Sequence, residues 1–289
     1  MRDLNNTHNI KVLMYHRVIE DHPEKYNHWH YVTVSEFRRQ LKFIGRLGYT
    51  PITFRDYHLF KSDKLTLPSK PIIISFDDGY MDTFQNAIPI MKEMGMKGVI
   101  FVLGDRKQKR AKWDEKDESD ICPLMTDKQL QIANKMGFEI GSHSMHHIDL
   151  SDLSDSDAIY TIQQSKAEIE AVIQEPIYSF AYPYGKFNKR IEQIVCDSGY
   201  SYACGVYTGS PKFGETLFDF RRLAINQNTS LQAFAIKLIT PFQYIEWIYN
   251  QIKSTKENTI EEVNKAKQPK TLHTNGKSTF SESMSEQNA

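Results

Sequence analysis

The chain has 289 residues with 36 Lys+Arg against 36 Asp+Glu, so its formal net charge is zero, and it carries 10 His, 3 Cys and 40% hydrophobic residues. That balance excludes the basic surplus with which a nucleic-acid binder neutralises phosphates, and Cys122, Cys196 and Cys204 form neither a C-x-x-C metal pair nor an even disulfide set. No stretch reaches the roughly 18 apolar residues of a membrane span, and Met1-Arg-Asp-Leu-Asn-Asn-Thr-His lacks the apolar core of a signal peptide, so the expectation is a cytoplasmic chain, extracytoplasmic only if a leader is missing.

In chain order, Ile10 to Tyr15 reads as a buried strand ending in His16. A helix follows behind Ser35, a plausible N-cap, with Phe37, Leu41, Ile44 and Leu47 on one face and Gly48 as its stop. Pro71 to Phe76 is a second strand, bounded by Asp77-Asp78-Gly79. Phe84, Ile88, Met91 and Met94 then keep helical spacing up to Gly95, with Pro89 expected to bend or delay that helix. Gly98 to Leu103 is a third strand. The charged segment Gly104 to Asp120 reads as a solvated insertion in which only Trp113 is suited to stack on a ligand. Beyond it, Leu130, Ala133 and Met136 form a helix after Thr126 and Asp127, Phe138 to Gly141 a strand, and Ile159 to Val172 a longer helix. Tyr178 to Ala181, a helix through Ile191, Ile194 and Val195, and Tyr200 to Val206 complete the series. Residues 251–289 are rich in Lys, Glu, Asn, Ser and Thr and bury too little to offset ordering entropy. The expected organisation is a catalytic domain over 1–250 and a mobile polar tail over 251–289.

Helix, glycine and apolar strand alternate, which implies βα units around a mostly parallel sheet, with a closed or nearly closed barrel as the best fit. In such folds chemistry gathers at the carboxyl ends of the strands. Asp77-Asp78-Gly79, His143 to His147 and Tyr182-Pro-Tyr-Gly185 each follow an expected strand, so three strands deliver polar groups to one rim.

His143 and His147 are four residues apart, and if their loop begins a helical turn both imidazoles project from one face and can share a metal. His146 between them points elsewhere. Of the two adjacent carboxylates, one can complete a two-His, one-carboxylate set around a divalent cation, and the other can take the proton of an attacking water. The plainer alternative for Asp77 and Asp78 is a turn or N-cap pair ahead of the helix near Asp82.

Taken together, Ser75-Phe-Asp-Asp-Gly79, His143-Ser-Met-His-His147 and Ala181-Tyr-Pro-Tyr-Gly185 resemble the first three motifs of the NodB-homology polysaccharide deacetylases, carbohydrate esterase family 4. Leu13-Met-Tyr-His-Arg-Val18 resembles the opening strand of the branch containing poly-N-acetylglucosamine deacetylases, and the likeness extends from about Val12 to about Leu223. The resemblance implies a distorted (β/α) barrel of seven or eight strands and metal-dependent removal of an N-acetyl or related N-acyl group from a carbohydrate. It implies Asp77 as general base, with Asp78, His143 and His147 as ligands of a divalent metal, Zn²⁺ being the expectation. The backbone N–H of Tyr184 would form part of an oxyanion hole, in a loop fixed by Pro183. The attacking water would sit on the metal.

The chain also departs from the family pattern. Tyr182 stands where many members begin the third motif with Arg, and the fourth motif is replaced by Phe220-Arg-Arg-Leu223, in which Arg222 or Arg221 is the candidate for the missing cation. The Leu-x-His motif that carries the general acid has no counterpart, His273 being excluded by its spacing and its place in the tail. His16 is the candidate acid, with a structural hydrogen-bonding role as its alternative. His8, His22, His28 and His30 read as surface residues, the last two flanking Trp29 in a loop suited to lining a sugar site. Pro183, Arg222 and Trp113 are the candidate substrate-binding residues. The expected partner is an N-acetylated saccharide, with no nucleic acid and no membrane span; oligomeric state is open. A non-catalytic saccharide-binding protein on the same scaffold is the alternative. A phosphoryl-transfer enzyme using Asp77 and Asp78 for Mg²⁺ is disfavoured, because no Walker-type glycine loop is present and imidazole suits Mg²⁺ poorly.

Overall fold

A computed structural model describes residues 10–22, 30–114, 122–206, 212–213, 216–242, 244–249 and 252. The chain divides into units of 1–248 and 249–289. The second unit is almost wholly outside the described residues, as are the mobility expected of 251–289, His8, His28, Trp29 and His273. Among the described residues the elements run β1 (Lys11–Tyr15), β2 (Arg17–Ile19), β3 (Tyr31–Thr33), α1 (Val34–Arg46), β4 (Thr50–Ile52), α2 (Phe54–Lys61), β5 (Pro71–Phe76) and α3 (Ile88–Glu93). They continue with β6 (Val99–Val102), α4 (Asp127–Lys135), β7 (Glu139–Ser142), α5 (Asp155–Ile173), β8 (Ser179–Ala181), α6 (Lys189–Asp197), β9 (Tyr202–Cys204), β10 (Leu223–Ala224) and α7 (Leu231–Ile239). No helix among them is long and apolar enough to cross a membrane.

The strands form a curled parallel sheet in the order β10-β1-β5-β6-β7-β8-β9, with β4 paired to the start of β5. β5 shows why: Ile72, Ile73, Ile74 and Phe76 are all fully buried, the near-continuous apolar run of a strand covered on both faces. The two ends of the sheet are joined by one short segment. Phe220 exchanges backbone hydrogen bonds with Ala203 and Gly205 beside β9, and three residues later Leu223 and Ala224 pair with Leu13 and Met14 of β1. A separate parallel ribbon of β2 and β3 lies outside this sheet.

Alternate strand residues point inward. Val12, Ile73, Phe101, Ala181, Tyr202 and Phe220 therefore form one cluster inside the barrel, into which Phe54 at the start of α2 inserts, stacking on Phe220 at 6.0 Å. The other face of the sheet packs against the helices through Ile72, Ile74, Phe138, Ile162, Ile169 and Ile191, among others. Continuing the inward column past the carboxyl ends of β5 and β7 leads to Asp77 and His143.

Several sequence expectations need local correction. Thr33, not Ser35, caps α1, its Oγ1 accepting from the Glu36 N–H at 3.3 Å, while the Ser35 hydroxyl donates to Asp21. The bend expected at Pro89 takes the form of a π-helical turn over Thr83–Ala87 followed by α3, with Pro89 in its first turn, where the missing N–H costs no helical bond. The start of the 104–120 segment is tied down rather than solvated. Arg106 donates to Asp127, to the Leu103 carbonyl and to the Met125 carbonyl, and Ala111 is buried. β2, β3, β4, β10, α2 and α7 carry no signal strong enough to have been read from the sequence.

Candidate metal centre and active site

At the end of β5 the Asp77 N–H donates to the Tyr15 carbonyl at 2.9 Å, continuing the ladder. Asp78 and Gly79 then turn through left-handed conformations, with φ of 71° and 70°. Aspartate tolerates that region better than most side chains. At Gly79 a Cβ would come within 2.7 Å of Val102 Cγ1. The turn brings successive carboxylates, which a continued strand would send to opposite faces, into one mouth.

His143 follows β7, its N–H donating to the Val102 carbonyl at 2.8 Å. The loop beyond it is not the helical turn considered from the four-residue spacing. Ser144 and His147 both have positive φ, 64° and 53°, and this folded-back loop, rather than a helix face, returns the second imidazole to the first. His143 Nε2 and His147 Nε2 lie 3.4 and 3.2 Å from Asp78 Oδ1. The ligand atoms of Asp78, His143 and His147 all fall within 4.8 Å of one another, and all three residues are buried.

This donor set fits a divalent cation on its own chemistry. His143 Nδ1 is 2.7 Å from the Ala181 carbonyl; a carbonyl only accepts, so Nδ1 carries the proton and Nε2 presents its lone pair toward Asp78, the outer-partner arrangement usual for metal-binding histidines. Asp78 Oδ1 is buried with no hydrogen-bond partner among the described residues, a deficit that costs about 1–3 kcal/mol unless something answers it. Burial pushes the Asp78 carboxyl up, but His147 and His143 outweigh it and hold the group well below the usual carboxylate range. Burial pulls His143 down, and its contact with Asp78 more than restores it.

Asp77 is held from behind. Arg222 Nη1 and Nη2 donate to its Oδ1 and Oδ2 at 2.6 and 2.7 Å, and Arg222 Nε donates to the Gly205 carbonyl at 2.8 Å. Arg222 is fully buried, with its guanidinium 5.5 Å from the centre of the Phe101 ring inside the barrel. Burial raises the Asp77 carboxyl, while Arg222 and then His143 bring it below its ordinary value.

These groups open into a cavity of about 210 Å³. His16 lies on its wall with Nε2 4.0 Å from Asp78 Oδ2 and stacks on His30 at 4.8 Å. Burial lowers His16 to about 4 against the opposing charges of Asp78 and Asp77. Opposite, the Trp113 ring stacks on His147 at 4.3 Å and 11°, and Tyr184 meets the same imidazole edge-on at 4.5 Å. The Tyr80 hydroxyl donates to Asp114, the residue after Trp113, which also lines the cavity.

The structure brings Asp77, Asp78, His143, His147, His16, Trp113 and Tyr184 to one cavity, whose wall includes neither Arg222 nor Pro183. Arg222 lies behind Asp77 with its donors occupied by protein, and Pro183 is buried in the 3-10 turn Pro183–Gly185 and is not part of the cavity wall. Arg221, the other candidate for the missing cation, pairs with Glu246. His146 is exposed, 3.4 Å from Asp105, as its place between two inward histidines required. His30 is no surface residue: it lines the cavity. Its partner His16 follows a recognisable strand, and the one sequence signal for His30 is its place beside Trp29 in a polar aromatic loop. Asp114 was unmarked, hidden in the charge run beside Trp113.

The fold and rim thus define a (β/α) barrel with an Asp/His/His site at the carboxyl ends of its strands. Residues 64–203 match the family described as polysaccharide deacetylase. The chain is 23% identical over 225 residues to YxkH of Bacillus subtilis (strain 168), spanning 78% of this chain and 74% of that one. It is 23% identical over 180 residues to the poly-beta-1,6-N-acetyl-D-glucosamine N-deacetylase of Staphylococcus aureus (strain MRSA252), covering 59% of each. Among solved structures, Streptococcus pyogenes deacetylase PplD in complex with acetate superposes with a TM-score of 0.66 at 21% identity, over 80% of this chain and 98% of that one. IcaB from Ammonifex degensii gives 0.65 at 20%, over 79% and 97%. Residues 64–203 are thus a polysaccharide deacetylase domain of the NodB-homology type, carbohydrate esterase family 4.

Proposed function

We propose that this protein is a metal-dependent hydrolase that removes an N-acetyl group from a saccharide. The observation that carries the reading is the pairing of two differently equipped neighbours: Asp78, facing two imidazoles with an unanswered oxygen, and Asp77, clamped by Arg222 in the same cavity.

Asp78, His143 and His147 would hold the cation, and a carboxylate with two imidazoles suits Zn²⁺. A divalent cation there supplies Lewis acidity, polarising the acyl carbonyl and making a water acidic enough to attack it. Asp77 takes the proton of the attacking water. Its two oxygens already accept from Arg222, which fixes the carboxylate plane, so little reorganisation is left for the chemical step. The Tyr184 N–H serves the developing oxyanion. Burial lowers His16, on the cavity wall, to about 4 and leaves its imidazole uncharged, so the proton delivered to the leaving nitrogen is the one Asp77 took from the water, and His16 can only relay it. Trp113 walls the side occupied by the acyl group and keeps water away from it.

The test is acetate release from a panel of N-acetylated saccharides by purified protein, with and without chelator. Release that stops with chelator and returns with Zn²⁺ supports the reading. Saccharide binding with no acetate released from any substrate, metal present, would establish a non-catalytic binding protein instead.

A further inference from the structure

Besides Asp77 and Asp78, the wall of the metal-centre cavity carries a carboxylate at Asp114. It comes from no strand end. It sits on the segment after β6, which is pinned by short antiparallel contacts: the Ala111 N–H donates to the Cys122 carbonyl at 2.8 Å, the Leu124 N–H to the Lys109 carbonyl at 2.9 Å, and the Met81 N–H to the Pro123 carbonyl at 2.9 Å. Ala111, Cys122 and Leu124 pack with Tyr80 in a small apolar cluster against which Trp113 lies, and the Asp114 N–H closes the turn on the Ala111 carbonyl at 3.1 Å.

The side chain is held as firmly as the backbone. The Tyr80 hydroxyl donates to Asp114 Oδ2. Tyr80 is itself buried, its ring centre 5.3 Å from the guanidinium of Arg17, which is paired with Asp82 at 2.7 Å. Because Tyr80 follows Asp78 and Gly79 directly, the turn that brings Asp78 into the mouth also sets the hydroxyl that holds Asp114. The charge of Asp114 is felt within the cavity: burial raises the Tyr184 hydroxyl, and Asp78 and then Asp114 add to the effect.

Among the described residues Asp114 belongs to no group that could share a cation, so metal binding does not account for its place in the wall. A carboxylate accepts at several positions, and its bonds from O–H donors are short and about twice as strong as neutral ones. Resting on the deacetylase reading above, we propose that Asp114 is a specificity-determining residue: it accepts a hydrogen bond from a free hydroxyl of the ring that carries the acyl group, with Tyr80 as its positioning residue. The adjacent Trp113 reaches His147 of the metal centre, so this pair of side chains meets the reacting ring and not a distant unit of the glycan. An acylated ring that lacks the hydroxyl, or carries an anionic group on it, is discriminated against.

The experiment compares kcat/KM for acetate release, in Zn²⁺, from an N-acetylhexosamine oligosaccharide and from its monodeoxy analogues, each lacking one free hydroxyl of the acylated ring. In the wild type one analogue should fall by about 10–100-fold, the range of a hydrogen bond to a charged group. Asp114→Ala should lose a similar factor on the parent oligosaccharide and nothing further on that analogue. Asp114→Asn, which keeps an acceptor for Tyr80, and Tyr80→Phe should each lose part of it, with Zn²⁺ affinity and melting temperature of the Asn variant as in the wild type. No analogue that falls in the wild type, or one that falls equally in the wild type and in the Asp114 variants, overturns the proposal and leaves the deacetylase reading intact. Absence of acetate from every substrate overturns the deacetylase reading itself, and the role of Asp114 with it.

Discussion

Asp77 and Arg222 form a buried two-point ion pair, 2.6 and 2.7 Å between their oxygens and nitrogens, inside a barrel whose interior is otherwise largely apolar. Removing one member of such a pair leaves the other charged and unanswered, which costs about 3–5 kcal/mol, whereas removing both is often close to neutral. Arg222→Met should therefore lower the unfolding free energy by that amount, and Asp77→Asn combined with Arg222→Met should recover most of it. Urea denaturation of the four proteins of the cycle is the measurement. Additive losses in the double variant would mean that the two side chains do not act as a pair.

The neighbours Asp77 and Asp78 should separate cleanly by function. Asp77→Asn is expected to bind Zn²⁺ as tightly as the wild type while losing about 10²–10⁴-fold in kcat, the usual worth of a positioned base. His143→Ala should lose the cation. With Zn²⁺ at a hundredfold excess over its dissociation constant, the wild type gains about 2.7 kcal/mol of stability by mass action, and the His143→Ala protein gains none. Calorimetric titration and thermal melts report both.

Trp113 covers the imidazole of His147 face to face. Without that indole, the His147 ring loses the surface that fixes its plane. Trp113→Ala should weaken Zn²⁺ binding by about tenfold, the low end for groups that orient a ligand from outside, and Trp113→Phe should restore most of it. Equal affinity in all three proteins would remove Trp113 from the metal site and leave it only as a wall.

A pH-dependent effect is expected at the opposite end of the barrel. Glu139 points inward at the start of β7, accepting from Ser179 Oγ at 2.6 Å and from the Arg55 N–H at 2.7 Å. Burial nevertheless raises its carboxyl above the ordinary value of 4.5. Between 4.5 and the raised value the folded chain keeps a proton that the unfolded chain has released, so this group's contribution to stability falls as pH climbs through that window. Glu139→Gln does not titrate. Its unfolding free energy should therefore rise relative to that of wild type from acid to neutral pH. A difference that stays flat with pH contradicts the raised carboxyl.

The long apolar strands and three polar rim clusters were legible because each is a local signal: Ile72 to Phe76 can be little other than a buried strand, and Asp77-Asp78-Gly79 follows it directly. Arg222 was named both as one of two candidates for the missing cation and as a substrate-binding residue, and the structure pairs it with Asp77. Its role depends on which of two adjacent arginines faces the barrel interior, a question of strand parity that the two-residue β10 is too short to reveal. His30 needed tertiary structure, since its partner His16 lies beyond β2 in a different part of the chain. His143 and His147 do come together, but through a loop with left-handed residues at Ser144 and His147 in place of the helical turn considered from their spacing.

The segment 220–224, which ties β9 to β1, also has a consequence for biosynthesis. Asp77, Asp78, His143 and His147 all emerge from the ribosome before the residue that clamps the base, which is 145 positions beyond Asp77. Contacts that distant form late and slowly. A nascent or truncated chain ending before Arg222 can gather Asp78, His143 and His147 and still leave Asp77 without its buried partner, so the pairing of Asp77 waits on the segment that joins the two ends of the sheet.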